Sequence, residues 1–182
     1  MNRRGPIVVS LLIGTLTSLF VGCQNQPEPA PASTSIDTLQ IANLRTPMPG
    51  VHTSGQPTPE QFARLAATGT TRVIQLRLAT EKGTGWEEEQ ARAAGVQFVR
   101  LPIEGEGSLS IDNVRRFADE LQAARDGDLL VCCGSSNRVG ALFALQAFWL
   151  DGKSSTDALA IGKAAGLTKL EPKVRELMQA PK

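Results

Sequence analysis

The stretch Asp128-Leu129-Leu130-Val131-Cys132-Cys133-Gly134-Ser135-Ser136-Asn137-Arg138-Val139-Gly140 decides how the chain is read. An apolar run of strand length meets two cysteines and a small polar loop; Arg138 follows, then an apolar helix from about Val139 to Leu150. That order lets loop amides turn towards one anion while the helix N-terminus adds positive potential at the same point. The same field stabilises a thiolate, the reactive form of cysteine. Arg138 can close on a phosphate with paired hydrogen bonds, a geometry lysine lacks. The stretch therefore predicts a strand–loop–helix anion cradle with thiol-dependent phosphate chemistry. Its candidate site residues are Cys132, Cys133 and Arg138 as the reacting set, and Gly134, Ser135, Ser136, Asn137 and Arg138 as the phosphate-binding set. The plain alternative is that cysteines ending a buried strand are small core hydrophobes.

Outward from the cradle, helices and strands alternate. Thr58 is a good N-cap, Pro59 a good first helical residue, and Gln61 completes a capping box for a helix that Gly69 ends. Arg72–Arg77 reads as a strand, Trp86 to about Ala94 as an acidic helix stopped by Gly95, and Gln97–Ile103 as the next strand. Ser110 to about Ala124 carries Ile111, Val114, Phe117 and Leu121 on one stripe. Two short helices, Thr156–Ala165 and Lys169–Met178, complete the pattern. Alternation of this kind predicts an α/β domain with a small parallel sheet flanked by helices. Pro47 and Pro49 make residues 41–53 a loop or an edge strand, and His52, the single histidine, reads as an exposed loop residue. Arg77 reads either as a second phosphate contact or as an ion-pair partner of Glu81.

Residues 1–23 read as a bacterial leader. Arg3 and Arg4 precede an apolar run from Ile7 to Val21, and Leu19-Phe20-Val21-Gly22-Cys23 resembles a lipobox in which Cys23 is lipidated. Residues 24–35 (QNQPEPAPASTS) are a Pro-rich tether, and residues 36–182 the domain. These features predict a cell-envelope protein, lipid-anchored and facing the periplasm, with the outer membrane favoured because Gln24 follows Cys23. The net charge is +1, aromatic residues make up 4% and tyrosine is absent, so no nucleic-acid surface is expected. Neither a metal-ligand cluster nor a dinucleotide fingerprint occurs, so no metal or other cofactor is expected.

Two registers fit the loop. Cys132 gives Cys-x5-Arg, the spacing of cysteine-dependent protein tyrosine and dual-specificity phosphatases, and Cys133 gives Cys-x4-Arg. Asn137-Arg138-Val139-Gly140-Ala141 resembles the end of the block His-Cys-Ala-Ser-Gly-Asn-Arg-Val-Gly-Ala of the phosphatase-like domain of beta-lactamase hydrolase-like proteins. In that register Cys133 is the nucleophile and Cys132 replaces the histidine. Gly55-Gln56-Pro57 matches that family's opening Gly-Gln-Pro, and Val73-Ile74-Gln75-Leu76-Arg77 resembles its Val-Ile-Asn-Leu-Arg. The resemblance runs from about Gly55 to Leu177. It implies a phosphatase-like fold and a phosphocysteine intermediate formed from a phosphate monoester, with a phosphorylated small molecule or protein as partner and membrane contact only through the N-terminal lipid.

The departures are as informative. No histidine precedes either cysteine, and Val139 stands where active phosphatases usually carry Ser or Thr. After Leu101-Pro102-Ile103 no Asp follows to act as general acid; Glu104 and Glu106 are the substitutes, and Asp112 falls at a helix start. These gaps keep open a binding module that retains the cradle without turnover. A rhodanese-type sulfurtransferase is a third alternative, since Cys133-Gly134-Ser135-Ser136-Asn137-Arg138 resembles some of its loops.

Strand alternation sends neighbouring side chains to opposite faces, so one sulfur is expected in the core and one exposed in the cradle. A disulfide between adjacent residues closes a strained ring and is easily reduced, so both are expected as thiols. Brief iodoacetamide treatment should label one cysteine much faster than the other, with phosphate or vanadate protecting it. A quantitative Cys132–Cys133 disulfide, or equal unprotected labelling, would demote the loop to structure.

Overall fold

The computed structural model describes residues 34–124 and 127–179. The expected leader, the Cys23 lipidation site and most of the tether lie outside the described residues. Thr34 and Ser35, placed in the tether by sequence, already bond to the fold: the Thr34 amide donates to Ala67 O and Ser35 caps a short 3-10 turn over Ile36–Leu39.

The sheet has five strands: β1 (Arg45–Met48), β2 (Val51–Ser54), β3 (Thr70–Gln75), β4 (Gln97–Arg100) and β5 (Asp128–Cys132), in the order β1-β2-β5-β3-β4. The strands β2, β5, β3 and β4 run parallel; for β3, β4 and β5 the alternation predicts this, whereas β2, within the stretch 41–53 read as a loop or an edge strand, is an interior strand. An antiparallel strand, β1, pairs with β2 at one edge; it is the edge-strand reading of residues 41–53, and Pro47 lacks the N–H that an interior strand would need. His52 is therefore a strand residue, 8% exposed, and not the exposed loop residue expected. Its ring nitrogens meet Thr46 Oγ1 at 3.0 Å and Asp128 Oδ2 at 3.4 Å.

The helices are α1 (Pro59–Ala63), α2 (Glu87–Ala94), α3 (Ile111–Ala123), α4 (Asn137–Trp149), α5 (Ser155–Ala164) and α6 (Glu171–Gln179). The capping box at Thr58 and Gln61 is formed, and Gly69, Gly95 and Gly166 take left-handed backbone where the sequence places stops. The helix behind the cradle begins two residues earlier than its apolar pattern implied, because Asn137 and Arg138 supply a polar first turn.

The sheet separates two cores. Phe62, Leu65, Val73, Ala91, Leu130 and Cys132 lie on one face, and Ile74, Leu129, Val131, Cys133 and the apolar sides of α3–α6 on the other. Within β5 the alternation is strict, so its buried side chains serve both cores in turn. Helix α4, apolar nearly all round, is held against α5 by a glycine pair. A Cβ at Gly140 would stand 2.0 Å from Leu167 N, and one at Gly162 2.6 Å from Ala144 Cβ. Gly140→Ala should destabilise the fold by about 3 kcal/mol or more, because the obstruction is backbone. Gly107→Ala, with nothing within 4 Å, should stay within about 0.5 kcal/mol. Urea unfolding of the two variants checks the contrast.

Candidate functional site

The end of β5 is fixed before the loop begins. The Cys133 amide donates to Ser54 O at 3.2 Å and the Leu76 amide to Cys132 O at 2.9 Å, which locks the strand end to both neighbours. Gly55 pairs with Ser135 across an isolated bridge, and a Cβ at Gly55 would lie 3.0 Å from Ala42 O and 3.2 Å from Gly134 O. The glycine of the Gly-Gln-Pro stretch is thus required by close approach of two backbones.

The loop then turns through Ser136, which has φ 66°. A serine in left-handed backbone is strained; its hydroxyl, donating to Ala165 O at 2.9 Å, offsets part of that strain. Asn137 Oδ1 accepts from the Thr168 amide (2.8 Å), the Thr168 hydroxyl (3.1 Å) and the Leu170 amide (3.2 Å). The side chains of Ser136 and Asn137, named by sequence among phosphate-binding residues, therefore brace the loop. Gly134 and Ser135 are exposed at the mouth. No side chain caps α4, and its first intrahelical acceptor, Ser136 O, bonds the Gly140 amide at 2.9 Å. The first-turn amides before Gly140 have no intrahelical partner, which is the condition for an anion site.

The two cysteines are free thiols with different surroundings. Cys132 is wholly buried in the core with Phe62 and Leu130; burial, then the neighbouring Cys133 and Glu87, pushes its thiol far above the ordinary range. Cys133 lies on the other face against Arg138, whose guanidinium interacts with its side chain. It is 1% exposed, part of the core that includes Val131 and Val139, and not open in the cradle as expected.

Arg138 sits in the first turn of α4, its side chain 15% exposed. It forks Glu81: Nη1 donates to Oε1 at 2.7 Å and Nη2 to Oε2 at 3.0 Å, while Nη1 also donates to Ile103 O at 2.7 Å. The Glu81 carboxylate, before other causes, holds Arg138 protonated. A guanidinium has five N–H groups. The fork takes the end of the plane and Ile103 the outer Nη1 hydrogen, which leaves Nε–H and one Nη2–H. Those two are parallel and suited to a bidentate oxyanion.

Glu81 was weighed in the sequence only as a partner for Arg77, and its link to Arg138 was missed. It lies 57 positions before Arg138, in a polar turn that reads as solvated surface. Arg77 is an ion-pair partner and not an open phosphate contact: Nε donates to Glu81 Oε2 at 2.8 Å, Nη1 to Gln56 Oε1 at 3.2 Å and Nη2 to Lys82 O at 2.8 Å. Of the acid candidates, Glu104 is exposed and directly follows Ile103, Glu106 opens a 3-10 turn, and Asp112 pairs with Arg115 on the surface. Among the described residues no group of His, Cys, Asp or Glu could hold a metal.

The model of the phosphatase-like domain of beta-lactamase hydrolase-like proteins matches residues 43–149. A beta-lactamase hydrolase-like protein of Xylella fastidiosa (strain 9a5c) is 31% identical over 140 residues, covering 71% of this chain and 31% of the relative. The chain thus spans about a third of that relative's length. Among solved structures, a DUF442 protein from Shewanella putrefaciens superposes with TM-score 0.63 at 24% identity, covering 79% of this chain and 94% of that one. TpbA of P. aeruginosa, solved in complex with pTyr, gives TM-score 0.60 at 20% identity, covering 79% and 86%. These likenesses agree with the fold expected from the sequence.

The fork has a pH signature. Hydrogen bonding from Arg138 lowers the Glu81 pKa from 4.5 to about 2. Because the folded value is depressed, the stabilisation is full above the unfolded value near 4.5 and is lost as pH falls towards 2. The thermal midpoint of the wild type should therefore fall more steeply from pH 5 to pH 2 than that of Glu81→Gln, the two curves converging at the acid end. Parallel curves would show that the carboxylate contributes nothing through its charge.

Proposed function

The chain belongs to the family of phosphatase-like domains of beta-lactamase hydrolase-like proteins, and from that premise we propose that it is a cysteine-dependent phosphatase with Cys133 as nucleophile. The observation that carries the reading is the free Nε/Nη2 edge of Arg138, held beside Cys133 at an uncapped helix N-terminus. A phosphate monoester bound there is held by that edge and by the amides from Gly134 to Arg138, with its phosphorus towards the sulfur. The Cys133 thiolate attacks phosphorus and the ester P–O bond breaks. The leaving oxygen takes a proton from Glu104, whose loop is tied to Arg138 through Ile103 O. Water, giving a proton back to the Glu104 carboxylate, then attacks the phosphocysteine, the P–S bond breaks, and inorganic phosphate leaves with the thiolate restored. Burial of Cys132 in the opposite core argues against it as nucleophile. Glu81, ionised down to about pH 2, is no acid at neutral pH.

A second reading, an oxyanion- or phospho-ligand-binding module with little turnover, has its own support. Val139 is fully buried where a hydroxyl would assist the departing thiolate, and the Ser136 hydroxyl is engaged with Ala165 O. The family match argues against a sulfurtransferase. The leader-like residues 1–23 and Cys23 support an envelope location, with a phosphorylated small molecule or protein as substrate.

Hydrolysis of para-nitrophenyl phosphate by the mature protein tests the proposal. Cys133→Ser should abolish turnover, Arg138→Lys should lower it about 100-fold or more, and Glu104→Gln about 100-fold. Cys132→Ser, a core change, should leave most activity. Activity that survives Cys133→Ser but not Cys132→Ser would overturn the assignment. Tungstate binding without turnover in the wild type would select the binding module.

A further inference from the structure

The Glu81 fork raises an electrostatic difficulty. A carboxylate bonded to both ends of a guanidinium neutralises it, and a neutral cradle binds anions poorly. Arg77 resolves this. Its Nε bonds the same oxygen, Glu81 Oε2, that Arg138 Nη2 holds, so one carboxylate lies between two guanidiniums and the cluster keeps one net positive charge. All three Arg77 nitrogens are committed, to Glu81, Gln56 and Lys82 O, and its side chain is 12% exposed. It can supply charge to the site without touching a ligand.

Gln56 fixes that arrangement from below. Its Oε1 accepts from Arg77 Nη1 and from Gln75 Nε2 (2.9 Å), and its Nε2 donates to Glu87 Oε1 at 3.2 Å. Glu87 is wholly buried and is anchored by Arg100 Nη2 at 2.9 Å and the Gly85 amide at 2.7 Å. Its burial opposes ionisation, but its own and the Gly85 backbone amides together with Arg100 outweigh it and keep the carboxylate charged. A line of polar contacts therefore runs from the Gly-Gln-Pro stretch to the anion-binding edge of Arg138.

We propose that Gln56, Arg77 and Glu81 are positioning residues for the oxyanion site: Glu81 sets the plane of Arg138, Arg77 restores the charge Glu81 removes, and Gln56 holds Arg77. The proposal rests on the oxyanion site of the preceding subsection, though not on turnover. It deepens that reading by favouring dianionic oxyanions over monoanions.

Tungstate and nitrate titrations of the mature wild type and variants, by calorimetry at fixed ionic strength, test it. Glu81→Gln removes a negative charge near the anion, so a mere bystander would bind tungstate more tightly once neutralised. The positioning role predicts about tenfold weaker binding. Arg77→Met should weaken tungstate by a similar factor while changing nitrate less, and the double variant should be no worse than either single one, since both act through Arg138. Arg77→Lys keeps the charge and should stay within about threefold of wild type, a comparison that stands even where Glu81→Gln unfolds, as its thermal midpoint would show. Tighter binding in Glu81→Gln, losses that multiply to about a hundredfold in the double variant, or equal affinities for Arg77→Lys and Arg77→Met would overturn the relay. A wild type that binds no tungstate would instead overturn the oxyanion site itself.

Discussion

One carboxylate joins three segments that are far apart in the chain. Glu81, in the turn after β3, is held by Arg138 at the start of α4 and by Arg77 at the end of the preceding strand, while Arg138 reaches on to the carbonyl that follows β4. Each contact alone is ordinary: two partly buried ion pairs and one hydrogen bond to a backbone carbonyl. Together they remove the rotational freedom of a long side chain that would otherwise sweep several ångströms. A fixed guanidinium is what distinguishes a polar loop at a helix end from a site with a defined bidentate edge.

The cysteines show the division of labour between strand geometry and electrostatics. Two adjacent residues of the same type receive opposite fates because β5 is buried on both faces and each side chain must choose one. Cys132 falls among Phe62, Leu65 and Leu130, where burial disfavours a thiolate more than the charges of Arg100 and Arg77 favour it. Cys133 falls at the helix end, beside a guanidinium. The sulfur that fills space and the sulfur that faces charge differ by one position in sequence. A one-residue slip of the strand would exchange them.

Much of this was legible in the residues themselves. Apolar runs, capping residues and glycine stops marked the helices and three of the four parallel strands, β3, β4 and β5, because those signals are local. The edge strand β1 was legible only as one of two readings, since its Pro-rich sequence reads equally as loop; the interior strand β2 was not, and neither was the burial of His52, which depends on Thr46 and Asp128 arriving from other strands. At the site, the cysteines and Arg138 stood out through spacing. Glu81 did not, because an acidic residue in a Thr/Lys/Gly turn has the composition of solvated surface and gains its role only when α4 docks. Likewise Ser136 and Asn137 look like ligand-binding residues in sequence, yet their side chains are consumed by Ala165 and Thr168.

The antiparallel hairpin also governs how the molecule meets copies of itself. A parallel sheet ending in β2 would present a row of unpaired N–H and C=O groups at its margin, a template for sheet-to-sheet polymerisation. Strand β1 covers that row, and with Pro47 it offers an incomplete set of donors in turn. At the other margin β4 is four residues long and ends in Arg100, whose guanidinium is turned inward to Glu87 and the Arg77 carbonyl. Both margins are thus poor seeds for intermolecular strand addition. A chain crowded to high local concentration would find no ready strand margin to extend.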